Sequence, residues 1–250
     1  MNAIKFIILL TWCFLMQSCI ASHVQKFPRE SFVKIHTKMI VEYCSIDPNG
    51  KQSFCAENIY FSSGSGSIVH HHNNKTFVLT AGHVCDSALS DPRIKSMVKS
   101  IKTEFQVITI ENKAHTFKVG IIPEEHKNGE LVDLCLLKGE RINHPRLHLA
   151  MRGPKPGETV YNMAAPTGFF IPPAVPLFSG YFSGPIHTHH DLLTIPAIGG
   201  SSGSPVLNRN GELIGLLFAA NPSFPHLSIS IKFETLRKFL QKNLYPQPSF

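Results

Sequence analysis

Short apolar runs, each bounded by Gly, Pro, Asn or Asp, set the narrowest limits on what this chain can fold into. Segments such as SFVKIHTKMIVEYC (31–44), KTFVLTA (75–81), TEFQVITI (103–110), HTFKVGII (115–122), DLLTIPAI (191–198) and ELIGLLFAA (212–220) recur along its length. Runs of this kind, rich in β-branched and aromatic residues and closed by turn formers, read as strands of a sandwich or barrel. The 17 glycines and 18 prolines are scattered rather than periodic, which excludes collagen-like and solenoid architectures. One helix stands out at 233–243, where Phe233, Leu236, Phe239 and Leu240 share a face. A weaker helical stretch is expected around 86–101. The charge- and Pro/Gly-rich segment 141–157 reads as a connection between two halves, 23–140 and 158–232, each of a size that suits a small barrel. Helix and tail then occupy 233–250.

Residues 1–22 stand apart from the rest. Lys5, an apolar stretch from Phe6 to Met16, and small residues up to Ala21 and Ser22 have the layout of a secretory signal peptide. A lipoprotein reading, with Met16-Gln17-Ser18-Cys19 as a lipobox and Cys19 as a lipid tether, fits less well because Met and Gln are unusual there. No later segment is apolar enough to span a membrane. The expected destination is therefore secreted or periplasmic. Lys and Arg produce a net charge of +7 but never cluster into a basic run, so nucleic acid is not an expected partner.

Removing 1–22 leaves Cys44, Cys55, Cys85 and Cys135. An even count in an exported chain favours disulfides, and four cysteines allow three pairings. Cys44 and Cys55 flank Asp47-Pro48-Asn49-Gly50, a hairpin-tip sequence, which suits a local bridge. No Cys-x-x-Cys spacing points to zinc, and no cofactor or metal is expected. His70-His71-His72 and His187, His189, His190 read as exposed polar loops.

Three motifs carry chemistry. Leu79-Thr80-Ala81-Gly82-His83-Val84 is an apolar strand turning at small residues into a histidine. Val132-Asp133-Leu134-Cys135-Leu136-Leu137 is an aspartate heading a buried strand. Ile198-Gly199-Gly200-Ser201-Ser202-Gly203-Ser204-Pro205-Val206 is a serine in a Gly-rich turn. A serine hydroxyl becomes a nucleophile when a histidine takes its proton and a carboxylate holds that histidine in one tautomer. Small residues around the serine let backbone N–H groups converge on an oxyanion. Gly199 to Gly203 also match the Gly-x-Ser-x-Gly elbow of α/β-hydrolases, but Pro205 leads into a strand, not a helix, and the required acid and histidine do not follow.

In their order His…Asp…Ser these motifs resemble the chymotrypsin-like (trypsin-fold) serine proteases, and the run 202–216 is most similar to the HtrA-type and glutamyl endopeptidase branch. The resemblance covers roughly Gly64 to Leu240. It implies two packed six-stranded antiparallel barrels, with His83 as general base, Asp133 as its orienting acid, Ser202 as nucleophile, and the N–H groups of Gly200 and Ser202 as oxyanion hole. It implies polypeptide substrates and an acyl-enzyme intermediate. HtrA-type enzymes carry a following PDZ domain, which is not expected here because the chain stops after its helix. Ser201 stands where zymogen-activated members place an aspartate, so activation through that ion pair is not expected. Cys85 and Cys135 lie two residues beyond His83 and Asp133, leaving open a Cys85–Cys135 bridge or two buried thiols. Pro196 stands where trypsin-like members carry an aspartate, and Leu217 where glutamyl endopeptidases carry a histidine. With Phe218, Ala219 and Ala220 they provide an apolar wall, favouring an apolar or small residue before the scissile bond. The competing expectation is a catalytically inactive binding protein of the same fold, and more distantly a non-catalytic adhesin.

Overall fold

A computed structural model describes residues 27–46, 52–85, 97–122 and 132–245. The signal segment, Cys19 and the Asp47–Gly50 tip lie outside those residues.

Six strands make a first closed barrel: β1 (Phe32–Ile46), β2 (Gln52–His72), β3 (Lys75–Thr80), β4 (Val98–Ile108), β5 (Ala114–Ile121) and β6 (Cys135–Glu140). Six more make a second: β7 (Thr159–Met163), β8 (Leu177–Pro185), β9 (His190–Leu193), β10 (Pro205–Leu207), β11 (Leu213–Asn221) and β12 (Phe224–Ile231). Their orders around the barrels, β1-β2-β3-β6-β5-β4 and β7-β8-β9-β12-β11-β10, are the same path traced twice. Antiparallel pairing of β1 with β4 and of β7 with β10 closes each circle. β3 pairs with β2 only from Ser67 to His72, so the first half of β2 projects from the barrel as a hairpin with β1 and leaves Phe54, Ile59 and Phe61 exposed. Of the helical stretch expected around 86–101, the described residues are 97–101, of which Met97 is helical and the rest are strand. Residues from Val98 onward extend β4 and pair with β1, so that Ile101 faces Val41, and cross-strand pairing overrides local helix propensity.

The terminal helix forms as its periodicity predicts, over Phe233–Leu244 (α2, the four-residue turn α1 being described below). It buries Phe233, Leu236, Phe239, Leu240 and Leu244. Its stripe does more than cap the second barrel. Leu236, Phe239, Leu240 and Leu244 join the cluster that holds Phe32, Phe105 and Phe117 of the first barrel, while Phe233 belongs to the cluster of the second. The stretch between β6 and β7 is also tacked to both barrels. Leu147 N–H donates to Ile68 O (2.7 Å) and Ala150 N–H to Leu213 O (3.0 Å). These contacts hold the two barrels in one register, which matters because the candidate site draws on both.

Both disulfides form, Cys44–Cys55 across β1 and β2 and Cys85–Cys135 between the helical turn that follows β3 and the first residue of β6. The first histidine run is not an exposed loop. Asn73 and Asn74, in left-handed conformation, make the β2–β3 turn, which places His70 and His71 back on the strand, half-buried. His70 packs edge-on to Tyr245, and His71 Nε2 bonds the His144 carbonyl at 2.9 Å.

Candidate active site

Strand register places the first two candidate residues. In the β3–β6 ladder Thr80 faces Cys135, so continuing the register sets Gly82 opposite Asp133. The chain leaves β3 at Ala81 and coils into α1 (Gly82–Cys85), which carries His83. A Cβ on Gly82 would stand 2.7 Å from Asp133 Oδ1, so only glycine lets the carboxylate come this close. Asp133 then grips His83 twice. Oδ1 accepts the His83 backbone N–H at 2.7 Å, and Oδ2 meets Nδ1 at 2.6 Å. With Nδ1–H donated inward, the other ring nitrogen, Nε2, is left as an acceptor. The carboxylate is largely covered, with 17% side-chain exposure, against 49% for the imidazole. The Cys85–Cys135 bridge ties the two segments just behind this pair.

Ser202 arrives from the second barrel, on the tight turn between β9 and β10. Ser204 N–H donates to Ser201 O (3.1 Å), and Gly203 N–H to Leu217 O (2.8 Å). The turn touches the first barrel through Ser202 O, which accepts the Ser65 N–H of β2 at 2.8 Å. Gly64 packs at the same seam. A Cβ there would meet both Val84 methyls at 2.9 Å and Ser202 O at 3.4 Å, so one glycine separates the histidine turn from the serine turn. The Ser202 hydroxyl donates weakly to Phe218 O at 3.4 Å, and no hydrogen bond among the described residues joins it to His83. A serine moves its oxygen among three staggered positions by one χ1 rotation, and such bonds are often loose without substrate.

Backbone amides around Ser202 are directed by the carbonyls that precede them. In a trans peptide the C=O and the following N–H point in opposite directions. Gly199 O is held by Thr167 N–H at 2.6 Å, and Ser201 O by Ser204 N–H. The N–H groups of Gly200 and Ser202 therefore point away from those anchors, and neither has an acceptor among the described residues. Gly200 adopts φ +90, and a Cβ there would strike Ala165 O at 2.6 Å. Thr167, φ 53, is itself in the left-handed region uncommon for a β-branched residue, a conformation that tends to collect at functional sites.

A cavity of about 290 Å³ opens beside Ser202. Leu217, Phe218, Ala219 and Ala220 line it, together with Ala197 and Ile198. Pro196 is not on this wall. Successive side chains of an extended segment face opposite sides, and burial alternates along 191–197, turning Pro196 away while Ala197 faces in. Among the described residues, no ionisable side chain lines the cavity. Ser65 and Thr167 belong to none of the three motifs, although the small-residue run Gly64-Ser65-Gly66-Ser67 inside a strand is the signal that something approaches β2 closely.

The model of the trypsin-like peptidase domain matches residues 64–216. Among solved structures, the active form of the Rv3671c protease from M. tuberculosis is similar over 89% of this chain and 85% of its own, at 18% identity and a TM-score of 0.60. The HtrA-type protease AlgW, solved with a decapeptide, is similar over 87% of this chain and 65% of its own, at 19% identity and a TM-score of 0.60. The serine endoprotease from Yersinia pestis matches at 17% identity over 83% of this chain and 63% of its own, with a TM-score of 0.56. No curated protein matches.

Proposed function

This chain belongs to the trypsin-like peptidase domain family and is a serine-type endopeptidase, and from that premise we propose that His83, Asp133 and Ser202 are its catalytic triad. The single observation that carries the assignment is the double grip of Asp133 on His83, which fixes the tautomer and leaves Nε2 as a base.

The reaction then runs as follows. His83 Nε2 takes the Ser202 proton as Oγ bonds to the scissile carbonyl carbon. The carbonyl oxygen gains negative charge and accepts the N–H groups of Gly200 and Ser202. On collapse the C–N bond breaks, His83 gives its proton to the departing amine, and Ser202 is left as an ester. Water, deprotonated by His83, attacks the ester carbon, the C–Oγ bond breaks to release the acid, and His83 returns the proton to Ser202. Asp133 stabilises the imidazolium in both halves without being protonated itself. The substrates are polypeptides with an apolar or small residue before the scissile bond, which suits the uncharged cavity formed by Leu217, Phe218, Ala219 and Ala220. The enzyme works outside the cytoplasm. The signal-like segment 1–22 and the two disulfides support that location, and no helix among the described residues is long and apolar enough to cross a membrane.

Labelling with a fluorophosphonate probe tests the assignment. Wild-type and Ser201→Ala proteins are expected to be labelled, and folded Ser202→Ala is not. Labelling that survives Ser202→Ala and disappears in Ser201→Ala would move the nucleophile by one residue.

A further inference from the structure

Ser65 is fully buried, lies on β2 of the first barrel and belongs to no motif of the triad. Four hydrogen bonds nonetheless converge on it. Its N–H donates to Ser202 O at 2.8 Å. Its hydroxyl donates to Gly200 O at 2.8 Å and accepts the Ala165 N–H at 2.9 Å. Its carbonyl accepts the Thr80 hydroxyl at 2.8 Å, from the strand that leads to His83. We propose that the Ser65 hydroxyl is a positioning group for the oxyanion hole, reaching across the seam between the barrels to hold the Gly200 peptide in its productive orientation. The proposal rests on Ser202 being the nucleophile.

The physical argument starts from Gly200. Lacking a Cβ, it can rotate cheaply out of φ +90, so the direction of its N–H must be imposed from outside. Within the turn Ser201 N–H donates to Ile198 O at 2.9 Å, and two restraints reach Gly200 from outside it, one on each side. The peptide before it is held through Gly199 O by Thr167 N–H, and the peptide after it through Gly200 O by Ser65 Oγ. Ser65 serves both restraints, because its oxygen also anchors Ala165, two residues before Thr167. One hydroxyl can be donor and acceptor at once, and here each role goes to a buried backbone group of the second barrel. Removing the oxygen strands a buried carbonyl and a buried N–H. Losing the Ala165 bond loosens the segment whose Thr167 N–H fixes Gly199 O, and losing the Gly200 O bond loosens the following peptide. The least costly relief is a change in Gly200 φ/ψ that turns its N–H, on the preceding peptide, out of the hole. Ser202 itself stays anchored, because its carbonyl is held by the Ser65 backbone and not by the side chain. The predicted lesion therefore lies in transition-state stabilisation, with ground-state binding spared.

The test uses Ser65→Ala and Ser65→Cys in the full chain, with Thr76→Val as a control that removes a buried hydroxyl hydrogen-bonded to Ile142 N–H, remote from the site. The substrate is the fluorogenic peptide cleaved fastest by wild type from a panel with Ala, Val, Leu or Phe before the scissile bond. Ser65→Ala should lower kcat about 10- to 100-fold with KM within twofold. Affinity for the matching peptide aldehyde, whose adduct oxygen occupies the hole, should fall by the same factor. Affinity for the analogue in which a methylene replaces the scissile carbonyl should not change. Ser65→Cys, a poorer hydrogen bonder of similar shape, should fall between Ser65→Ala and wild type. Thr76→Val should lose stability but keep kcat. An unchanged kcat in Ser65→Ala, or equal weakening of the aldehyde and the methylene analogue, overturns the proposal. Wild-type protein that is not labelled at Ser202 overturns the nucleophile assignment instead.

Discussion

Asp191 offers a sharp test of the energetics of the second barrel. It sits on β9 between Pro185 of β8 and Ser230 of β12, buried, and its Oδ1 has no hydrogen-bond partner among the described residues. Burial pushes its carboxyl up to about 6; the Lys232 ammonium opposes this and Glu234 adds to it. The native state therefore holds a proton that the unfolded chain, with an ordinary aspartate near 3.9, has already released. The sign follows. Asp191 contributes full stability below about pH 4, and that contribution is lost as pH rises through about 6. The interval corresponds to at most about 3 kcal/mol, and Lys232 together with partial solvation at the strand end brings the expected effect to about 1–3 kcal/mol. Asp191→Asn removes the titration while keeping the shape. Urea unfolding at pH 4.5 and pH 7.5 should show the variant gaining on wild type as pH rises, ending more stable at pH 7.5. Comparing the two proteins isolates Asp191. His70 and His71, held below the ordinary histidine range chiefly by burial, act in the opposite direction, costing stability as pH falls. If the variant–wild-type difference is the same at both pH values, the buried-carboxylate reasoning is wrong.

Asp133→Asn should fold like wild type, because an amide is nearly isosteric, but should lower kcat by about four orders of magnitude by favouring the wrong histidine tautomer; steady-state kinetics with a circular-dichroism control checks this. Cys85 and Cys135 are 50 residues apart, so opening their bridge should cost about 4 kcal/mol through the entropy of the unfolded chain. Cys85→Ser/Cys135→Ser should accordingly melt well below wild type, and an unchanged melting temperature would count against that model. Its loss should also reduce kcat, since the bridge lies just behind the His83–Asp133 pair.

Local pattern carried far in this chain. The alternation and punctuation of apolar runs specified strands, and the 3.6-residue stripe of Phe233, Leu236, Phe239 and Leu240 specified the helix, because side-chain periodicity and backbone geometry are the same constraint read twice. The motifs around His83, Asp133 and Ser202 were legible for a related reason: each needs small or apolar neighbours within a few residues. Tertiary structure decided what depends on distant pairs. The β3–β6 register sets Asp133 against Gly82, and only then does the need for glycine there become visible. Val98 to Ile101 became strand because β1 supplied partners for their backbone, which no local window can report. Pro196 and Ala197 exchanged places on the cavity wall through a one-residue alternation that sequence alone leaves unphased. Ser65 was illegible altogether, since a buried serine in a strand acquires meaning only from the groups folding brings to it. Its hydroxyl meets Gly200 135 positions away in the chain, and hydrogen bonds across that distance are properties of the packed barrels, not of any segment.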